Sequence, residues 1–198
     1  MDGRTHAALG AATALVVIRP TKPEDLIATA AVGAFAGILP DVDISGSKVS
    51  RVIRSIIGGF ISIVAFFIIQ AQVTGTTVID SINKSGFATN IIGLAILIAF
   101  SFYGASQPHR GFTHSFVAAA IASFSAYLIF AKLLPAFIVG YLSHLGIDYF
   151  NKKGEQFLWP LEDRRCLGLC TANGVAALST RMVSYFVCIG YAAYLGLS

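Results

Sequence analysis

The densest polar stretch of this sequence is the heptapeptide His-Arg-Gly-Phe-Thr-His-Ser at positions 109–115. Imidazoles bind transition metals and transfer protons near neutral pH, and the planar guanidinium of arginine pairs with phosphate. We therefore predict that His114 is a metal ligand, that His109 is a second ligand or a proton donor, and that Arg110 binds an anionic substrate.

The heptapeptide also has a purely structural interpretation. Gly111 can turn the chain, and the hydroxyl group of Thr113 or Ser115 can cap a helix that begins directly afterwards. The two histidines would then have no chemical role. The interpretations differ in one respect, because only the chemical one requires other ligands to converge on the same place.

Histidine and aspartate recur in two further motifs and near the start of the chain. His144 and Asp148 are four positions apart, so on a helix they share a face and can bind one ion together. Asp41 and Asp43 follow Pro40, where irregular backbone can turn both carboxylates toward one point. The candidate ligands are thus His6, Asp41, Asp43, His109, His114, His144 and Asp148.

Seven candidate ligands exceed the four that one tetrahedral zinc ion requires, and they suit two ions. Mixed imidazole and carboxylate donors favour zinc, with manganese or iron as alternatives, over magnesium or calcium. We predict a metal-binding set of His6, Asp41, Asp43, His114, His144 and Asp148, a catalytic set of His109, Arg110 and Asp43, and a substrate-binding set of Arg110, Lys152 and Lys153.

Composition indicates that these polar residues belong to a membrane protein. Of the 198 residues, 56% are hydrophobic and only 12% are charged, whereas about 25% of the residues in soluble domains are charged. No linker or repeat divides the chain, so we predict one membrane-embedded domain over residues 1–198. The net charge of +4 is modest, and we expect no nucleic-acid partner. Free thiols are predicted for Cys166, Cys170 and Cys188.

Apolar runs predict an all-α fold, a polytopic bundle of about six or seven mostly short transmembrane or membrane-embedded helices. The predicted helices cover residues 7–18, 26–39, 56–70, 91–103, 116–134, 136–147 and 182–197. Pro135 separates the fifth helix from the sixth, and residues 73–90 are predicted to form a loop. The first two runs are shorter than the roughly 20 residues of a spanning helix, so whether they cross the membrane is left open.

Small residues and alternating helix directions predict how the helices assemble. Ala8 and Ala12 on the first helix, and Gly33 and Gly37 on the second, have the spacing that lets two backbones approach closely. If successive helices alternate in direction, all the candidate ligands lie at the same end of the bundle. This convergence favours the chemical interpretation of the heptapeptide.

Basic residues predict the orientation of that end. Ten of the 14 lysines and arginines are assigned to it, and by the positive-inside bias it is cytoplasmic. These are Arg4, Lys48, Arg51, Arg54, Arg110, Lys152, Lys153, Arg164, Arg165 and Arg181, whereas Arg19, Lys22, Lys84 and Lys132 are assigned to the other end. The predicted location is a bacterial or archaeal cytoplasmic membrane.

Four motifs, in their order and at their separations, resemble those of a bacterial inner-membrane family of predicted metal-dependent hydrolases, which includes a LexA-regulated, SOS-induced member. The motifs are LPDVD, HRGFTHS, GYLSHLGIDYF and FLWP. The resemblance covers roughly residues 3–160 and implies that the seven candidate ligands form the polar core. The chain departs from the family after Asp43, where Ile44-Ser45 replaces His-Pro, and at 151–154, where Asn-Lys-Lys-Gly replaces a Thr-Pro-rich sequence.

The ligand order is also similar to the first ligands of the all-α zinc-dependent phospholipase C and single-strand nuclease group. No histidine follows His144, so the similarity implies two metal ions rather than a complete trinuclear site.

Together these features predict a membrane-bound metal-dependent hydrolase, phospholipase C-like or phosphatase-like, that acts on an anionic phosphoester of a membrane lipid or another membrane-associated molecule. A metal-activated water is the expected nucleophile. Trp159, with Tyr149 and Phe157 nearby, is predicted to anchor the chain at the headgroup level. Two alternatives remain, a scaffold or regulator with a structural metal and a metal-ion transporter, which would place ligands at several depths.

Overall fold

The computed structural model of the chain describes residues 2–44, 58, 87–171 and 174–197. Regular structure in these residues is helical, and the only strand-like features among them are two isolated bridges. The α-helices are α1 (Gly3–Ile18), α2 (Pro23–Ile38), α3 (Phe87–Ser106), α4 (Phe116–Phe130), α5 (Leu134–Tyr149) and α6 (Val175–Leu197). The all-α fold class is confirmed for the described residues. The helix predicted at 56–70 lies outside them, apart from Gly58, which is helical.

Among the described residues, four helical stretches are long and apolar enough to cross a membrane, judged by length and composition. They are Pro23–Asp43, Thr89–Ser106, Phe116–Tyr149 and Val175–Gly196. The expected six or seven spans are therefore not confirmed. Helix α1 has 16 residues, which is short for a span, and α4 and α5 form one continuous apolar stretch.

Several helix boundaries differ from the predicted ones. Helix α1 begins at Gly3 because Asp2 caps it, and α6 begins at Val175 rather than at position 182. The described end of the predicted loop, 87–90, is helical. The predicted break before the sixth helix is present, but it is a 3₁₀ turn, Ala131–Leu133, and Pro135 lies in the first turn of α5. Proline is tolerated there because the first helical N–H groups have no partner within the helix.

Helices α1, α2 and α5 approach one another most closely at Gly33. A Cβ atom on Gly33 would lie 2.5 Å from the carbonyl oxygen of Gly10 on α1, and one on Gly140 of α5 would collide with the carbonyl of Gly33. A Cβ on Gly37 would lie 2.5 Å from the carbonyl oxygen of His6. The predicted close contact through Gly33 and Gly37 is thus confirmed.

The α1 side of this contact differs from the prediction. The backbone or Cβ atoms nearest the two glycines belong to His6, Gly10 and Ala14, which are spaced four residues apart on one face. Ala8 and Ala12 are buried but do not make the closest approach. The tight packing brings the beginning of α1 against the end of α2, and with it His6 toward the LPDVD motif.

Candidate metal centre

Three fully buried imidazoles meet at one end of the bundle. They belong to His6 on α1, His114 in the 3₁₀ turn Phe112–His114, and His144 on α5. The ring of His6 stacks on that of His144 with centroids 3.7 Å apart, and Nε2 of His114 lies 3.1 Å from Nε2 of His144. Helices α4 and α5 therefore run antiparallel, since His114 precedes α4 and His144 lies near the end of α5.

The backbone of α2 fixes the ring of His144. Its Nδ1 lies 2.7 Å from the carbonyl oxygen of Gly37. Because a carbonyl oxygen can only accept, Nδ1 carries the proton and Nε2 is left with its lone pair facing the other imidazoles. A carbonyl partner of this kind commonly orients metal-binding histidines in proteins.

Two carboxylates face these imidazoles. Oδ1 of Asp148 lies 3.3 Å from Nε2 of His6. Oδ1 of Asp41 lies 3.7 Å from Nε2 of His144 and 3.9 Å from Nε2 of His114. The 3₁₀ turn Leu39–Asp43 at the end of α2 directs Asp41 into the cluster, which agrees with the irregular backbone expected there.

The donor atoms fit a divalent cation better than they fit one another. Five buried donor atoms of the cluster have no hydrogen-bond partner among the described residues. They are both ring nitrogens of His6, Oδ2 of Asp41 and both carboxylate oxygens of Glu155. Leaving buried polar atoms unpaired costs free energy. The spacings of 3.1 and 3.3 Å match the roughly 3.3 Å between two donors that bind one tetrahedral zinc ion at about 2.0–2.1 Å.

Donor atoms that lie within 4.8 Å of one another form four overlapping groups in the described part of the chain. The groups are His6–His144–Asp148, Asp41–His114–His144, Asp43–His109–His114 and His114–Asp148–Glu155. The groups share residues, so the donors form one continuous cluster. All seven candidate ligands belong to it, together with Glu155, which the sequence analysis missed.

Asp43 and Asp41 differ in what they contact. Asp43 accepts three hydrogen bonds from the heptapeptide: from Nδ1 of His109 at 2.7 Å, from the backbone N–H of Arg110 at 3.0 Å and from the hydroxyl of Thr113 at 2.7 Å. These bonds hold the heptapeptide against the end of α2. They also hold the backbone of Arg110 in the left-handed region, at a φ of 63°. Asp43 therefore positions the heptapeptide, whereas Asp41 keeps an oxygen without a partner.

Arg110 lies inside the centre rather than at its surface. Only 5% of the residue is exposed. Its guanidinium donates at 2.7 Å to Oδ2 of Asp148 and also to the backbone carbonyl of Lys153, and its Nε has no hydrogen-bond partner within the described residues. The side chains of Lys152 and Lys153 are exposed. Of the predicted substrate-binding residues, the two lysines thus lie at the rim, and Arg110 neutralises a candidate metal ligand.

Glu155 enters the cluster from the non-helical segment 150–170, which follows α5. Backbone hydrogen bonds of 3.0 Å in both directions join Glu155 to Arg165, and the N–H of Gln156 donates to the carbonyl of Arg110. Glu155 is 0% exposed. Burial and, to a smaller extent, the negative charge of Asp148 raise the pKa of its carboxyl group to about 9. In the sequence Lys-Lys-Gly-Glu-Gln this glutamate resembles an exposed loop residue, so no pattern marks it.

Aromatic residues surround the outer side of this segment. Trp159 packs edge-on against Phe112, with centroids 5.2 Å apart, and Phe157 stacks on Phe116 at 5.5 Å. The role of Trp159 as an interfacial anchor stays a prediction. An apolar groove of about 340 Å³ lies beside Phe157. It is lined by Phe116, Leu142, Leu145, Gly146, Tyr149, Phe157 and Arg165.

Comparison with known protein families gives a match over nearly the whole chain. Residues 1–197 match the family model described as YdjM inner membrane protein. No curated protein and no solved structure matches the chain. The family match and the apolar helices confirm the predicted membrane location, whereas metal-dependent hydrolysis stays a prediction. By a match that covers nearly its whole length, the chain belongs to the YdjM inner membrane protein family.

Proposed function

We propose that this chain is a membrane-bound metal-dependent hydrolase that cleaves a phosphoester of a membrane lipid. The observation that supports this most is the buried donor cluster, in which both nitrogens of His6 have no hydrogen-bond partner among the described residues although His144 and Asp148 are adjacent. Ionisable residues in an apolar bundle are costly and are usually functional. The number and type of donors suit two ions, with zinc preferred and manganese or iron as alternatives.

The residues divide into those that hold the ions and those that handle protons. Bound divalent ions would supply a water of lowered pKa as the nucleophile and would neutralise phosphoryl oxygens. His6, Asp41, His114, His144 and Asp148 would hold them.

His109 is suited to proton transfer. Asp43 accepts a hydrogen bond from its Nδ1, so the proton lies on that nitrogen and the lone pair of Nε2 is left for the substrate. The side chain of His109 is 39% exposed, so a substrate can reach it. A carboxylate that orients an imidazole in this way is the usual arrangement of a general acid or base.

The lipid nature of the substrate is supported by the apolar groove. Two of its lining residues, Leu145 and Tyr149, directly follow His144 and Asp148 on α5. The groove therefore runs along the flank of the helix that carries the ligands, and it offers an apolar surface for an acyl chain. The exposed side chains of Lys152 and Lys153 would attract the anionic headgroup.

We also propose that the metal centre faces the cytoplasm. Two ion pairs support the assignment of basic residues to the two ends. At the metal end, Arg181 pairs with Asp2, which lies beside the start of α1. At the other end, Lys132 pairs with Asp25 at the start of α2. A reporter fused after Lys153 should accordingly respond from the cytoplasm, and a periplasmic signal would overturn this orientation.

One observation favours a second function, a scaffold or regulator with a structural metal. His6, His114 and His144 are all 0% exposed, and structural zinc sites are closed whereas catalytic ones keep a position open to water. A transport role has less support, because all four histidines of the chain lie in this single cluster.

Metal analysis combined with hydrolysis assays tests the proposal. We expect the protein purified in detergent to contain zinc, manganese or iron, and to release product from a panel of lipid phosphoesters until a chelator is added. The double variant His144→Ala with Asp148→Ala should lose both the metal and the activity, while the exposed control Asp163→Ala should keep both. Metal without hydrolysis of any panel member would favour the scaffold, and protein that binds no metal would exclude both functions.

A further inference from the structure

Glu155 is a fully buried carboxylate for which the proposed reaction gives no role. Neither of its oxygens has a hydrogen-bond partner among the described residues. We propose that Glu155 is a ligand of the metal centre, and that a cation bound by Glu155, His114 and Asp148 ties the non-helical segment 150–170 to the helices.

Glu155 lies close to two of the candidate metal ligands. It offers a carboxylate oxygen within 4.8 Å of donor atoms on His114 and Asp148. His114 also faces Asp41, and Asp148 also faces His6. Glu155 therefore lies beside two donors that each also face a further candidate ligand, and its carboxylate would complete a three-ligand site with His114 and Asp148.

No cationic side chain among the described residues donates a hydrogen bond to the carboxylate of Glu155. The positive charge of Arg110 acts on Glu155 from nearby, but the hydrogen bonds of its guanidinium go to Asp148 and to the carbonyl of Lys153. An ionised carboxylate buried without a partner is strongly unfavourable. A bound metal ion would supply the direct partner that this carboxylate lacks among the described residues.

Binding through Glu155 would connect metal occupancy to the order of the segment. Beyond its internal bonds, the segment is held by hydrogen bonds such as those from Gln156 N–H to the carbonyl of Arg110 and from Phe116 N–H to the carbonyl of Phe157. A metal ion bound by Glu155 would also link the segment to His114, which precedes α4, and to Asp148 on α5. Arg164 and Arg165 in the same segment are exposed and are substrates for trypsin.

The inference rests on the metal centre proposed above but not on hydrolysis, so metal binding and proteolysis test it. We would titrate zinc into apo protein in detergent and follow tryptic cleavage after Arg164 and Arg165 with and without zinc. Glu155→Gln should bind about one ion fewer, or bind zinc at least about 10- to 100-fold more weakly, since even outer partners of metal ligands contribute this much. Trypsin should cleave the Glu155→Gln variant fast at all zinc concentrations.

The matched control is Glu162→Gln, the same chemical change at an exposed position of the same segment. It should bind zinc and resist trypsin as the wild type does. Glu155→Gln with wild-type zinc binding and zinc-dependent protection would overturn the role of Glu155 and leave the centre intact. Wild-type protein that binds no zinc, manganese or iron would overturn the centre as well.

A second variant covers failure of Glu155→Gln to fold. Glu155→Asp keeps the carboxylate and shortens it by one methylene, so we expect zinc binding weaker than in the wild type and restored protection at higher zinc concentration. Zinc affinity of Glu155→Asp equal to that of the wild type would contradict a direct bond at this position.

Discussion

Two kinds of structure contribute to the candidate centre, and their polar groups differ in how well they are satisfied. The packed ends of α1 and α5 carry His6 and Asp148, and both nitrogens of His6 are without a hydrogen-bond partner in the described part of the chain. The heptapeptide instead carries His109 and Thr113, which both bond to Asp43. The helix ends thus hold candidate metal ligands on a rigid frame, whereas the heptapeptide, apart from its candidate ligand His114, forms a hydrogen-bonded network with Asp43 that positions groups around them.

The largest effect should come from removing a donor on a helix end. His6→Leu should lower zinc affinity by more than roughly 100-fold, because loss of a direct ligand exceeds the loss of an outer partner. Isothermal titration of the detergent-solubilised protein measures this. In chelator the same variant should be as stable as the wild type or more stable, because a buried imidazole with no hydrogen-bond partner among the described residues is replaced by an apolar side chain. Unchanged zinc affinity would show that the helix ends do not bind the metal.

A smaller effect, confined to activity, is expected in the heptapeptide. His109→Ala should lower the hydrolysis rate about 10²- to 10⁴-fold, the usual contribution of a general acid or base, without changing metal content. Asp43→Asn should act in the same direction by about 10- to 100-fold, because it orients His109 from outside. Steady-state assays with parallel metal analysis separate the two regions. Loss of metal from His109→Ala would make this residue a ligand and weaken the contrast.

The sequence predicts the helix-end donors well and the other groups less completely. His144 and Asp148 share a helix face at a fixed spacing, and Gly33 and Gly37 allow α1 and α2 to meet. Regular periodicity thus carries enough information to bring distant residues to one end. Glu155 has no such pattern, because its burial depends on backbone bonds to Arg165 and Arg110 that only the folded segment forms.

The sequence also does not distinguish Asp41 from Asp43. Both aspartates follow the same proline, and their spacing gives them the same apparent role. The 3₁₀ turn Leu39–Asp43 separates them, because Asp43 points to the heptapeptide while Asp41 faces the imidazoles of His114 and His144. Likewise, the chemistry of arginine suggests an anion-binding Arg110, whereas its burial beside Asp148 appears only in the structure.

The close packing of α1 against α2, which holds the helix ends together, can be tested by substitution. Gly33→Ala should reduce the free energy of unfolding by about 1–3 kcal/mol, because the added Cβ meets the backbone of Gly10, which cannot move aside easily. Thermal unfolding in detergent measures the loss. Gly190→Ala is the matched control, since a Cβ there meets nothing within 4 Å, and it should be neutral or slightly stabilising. Equal behaviour of the two variants would show that close packing does not support the helix ends.

The smallest effect concerns the start of the helix that carries His6. Asp2 accepts a hydrogen bond from the backbone N–H of Thr5 at 2.9 Å and pairs with Arg181 of α6 at 2.9 Å. Asp2→Ala should reduce the free energy of unfolding by about 1 kcal/mol, as loss of a helix cap does. Hydrogen bonds from Thr5 lower the pKa of Asp2, so this contribution is present above the ordinary pKa of aspartate and is lost as the pH falls through the lowered value. The difference in thermal stability between the two proteins should therefore shrink as the pH falls from 7 toward roughly 3, and a difference that does not shrink would assign the effect to packing instead of the ionised cap and its pair with Arg181.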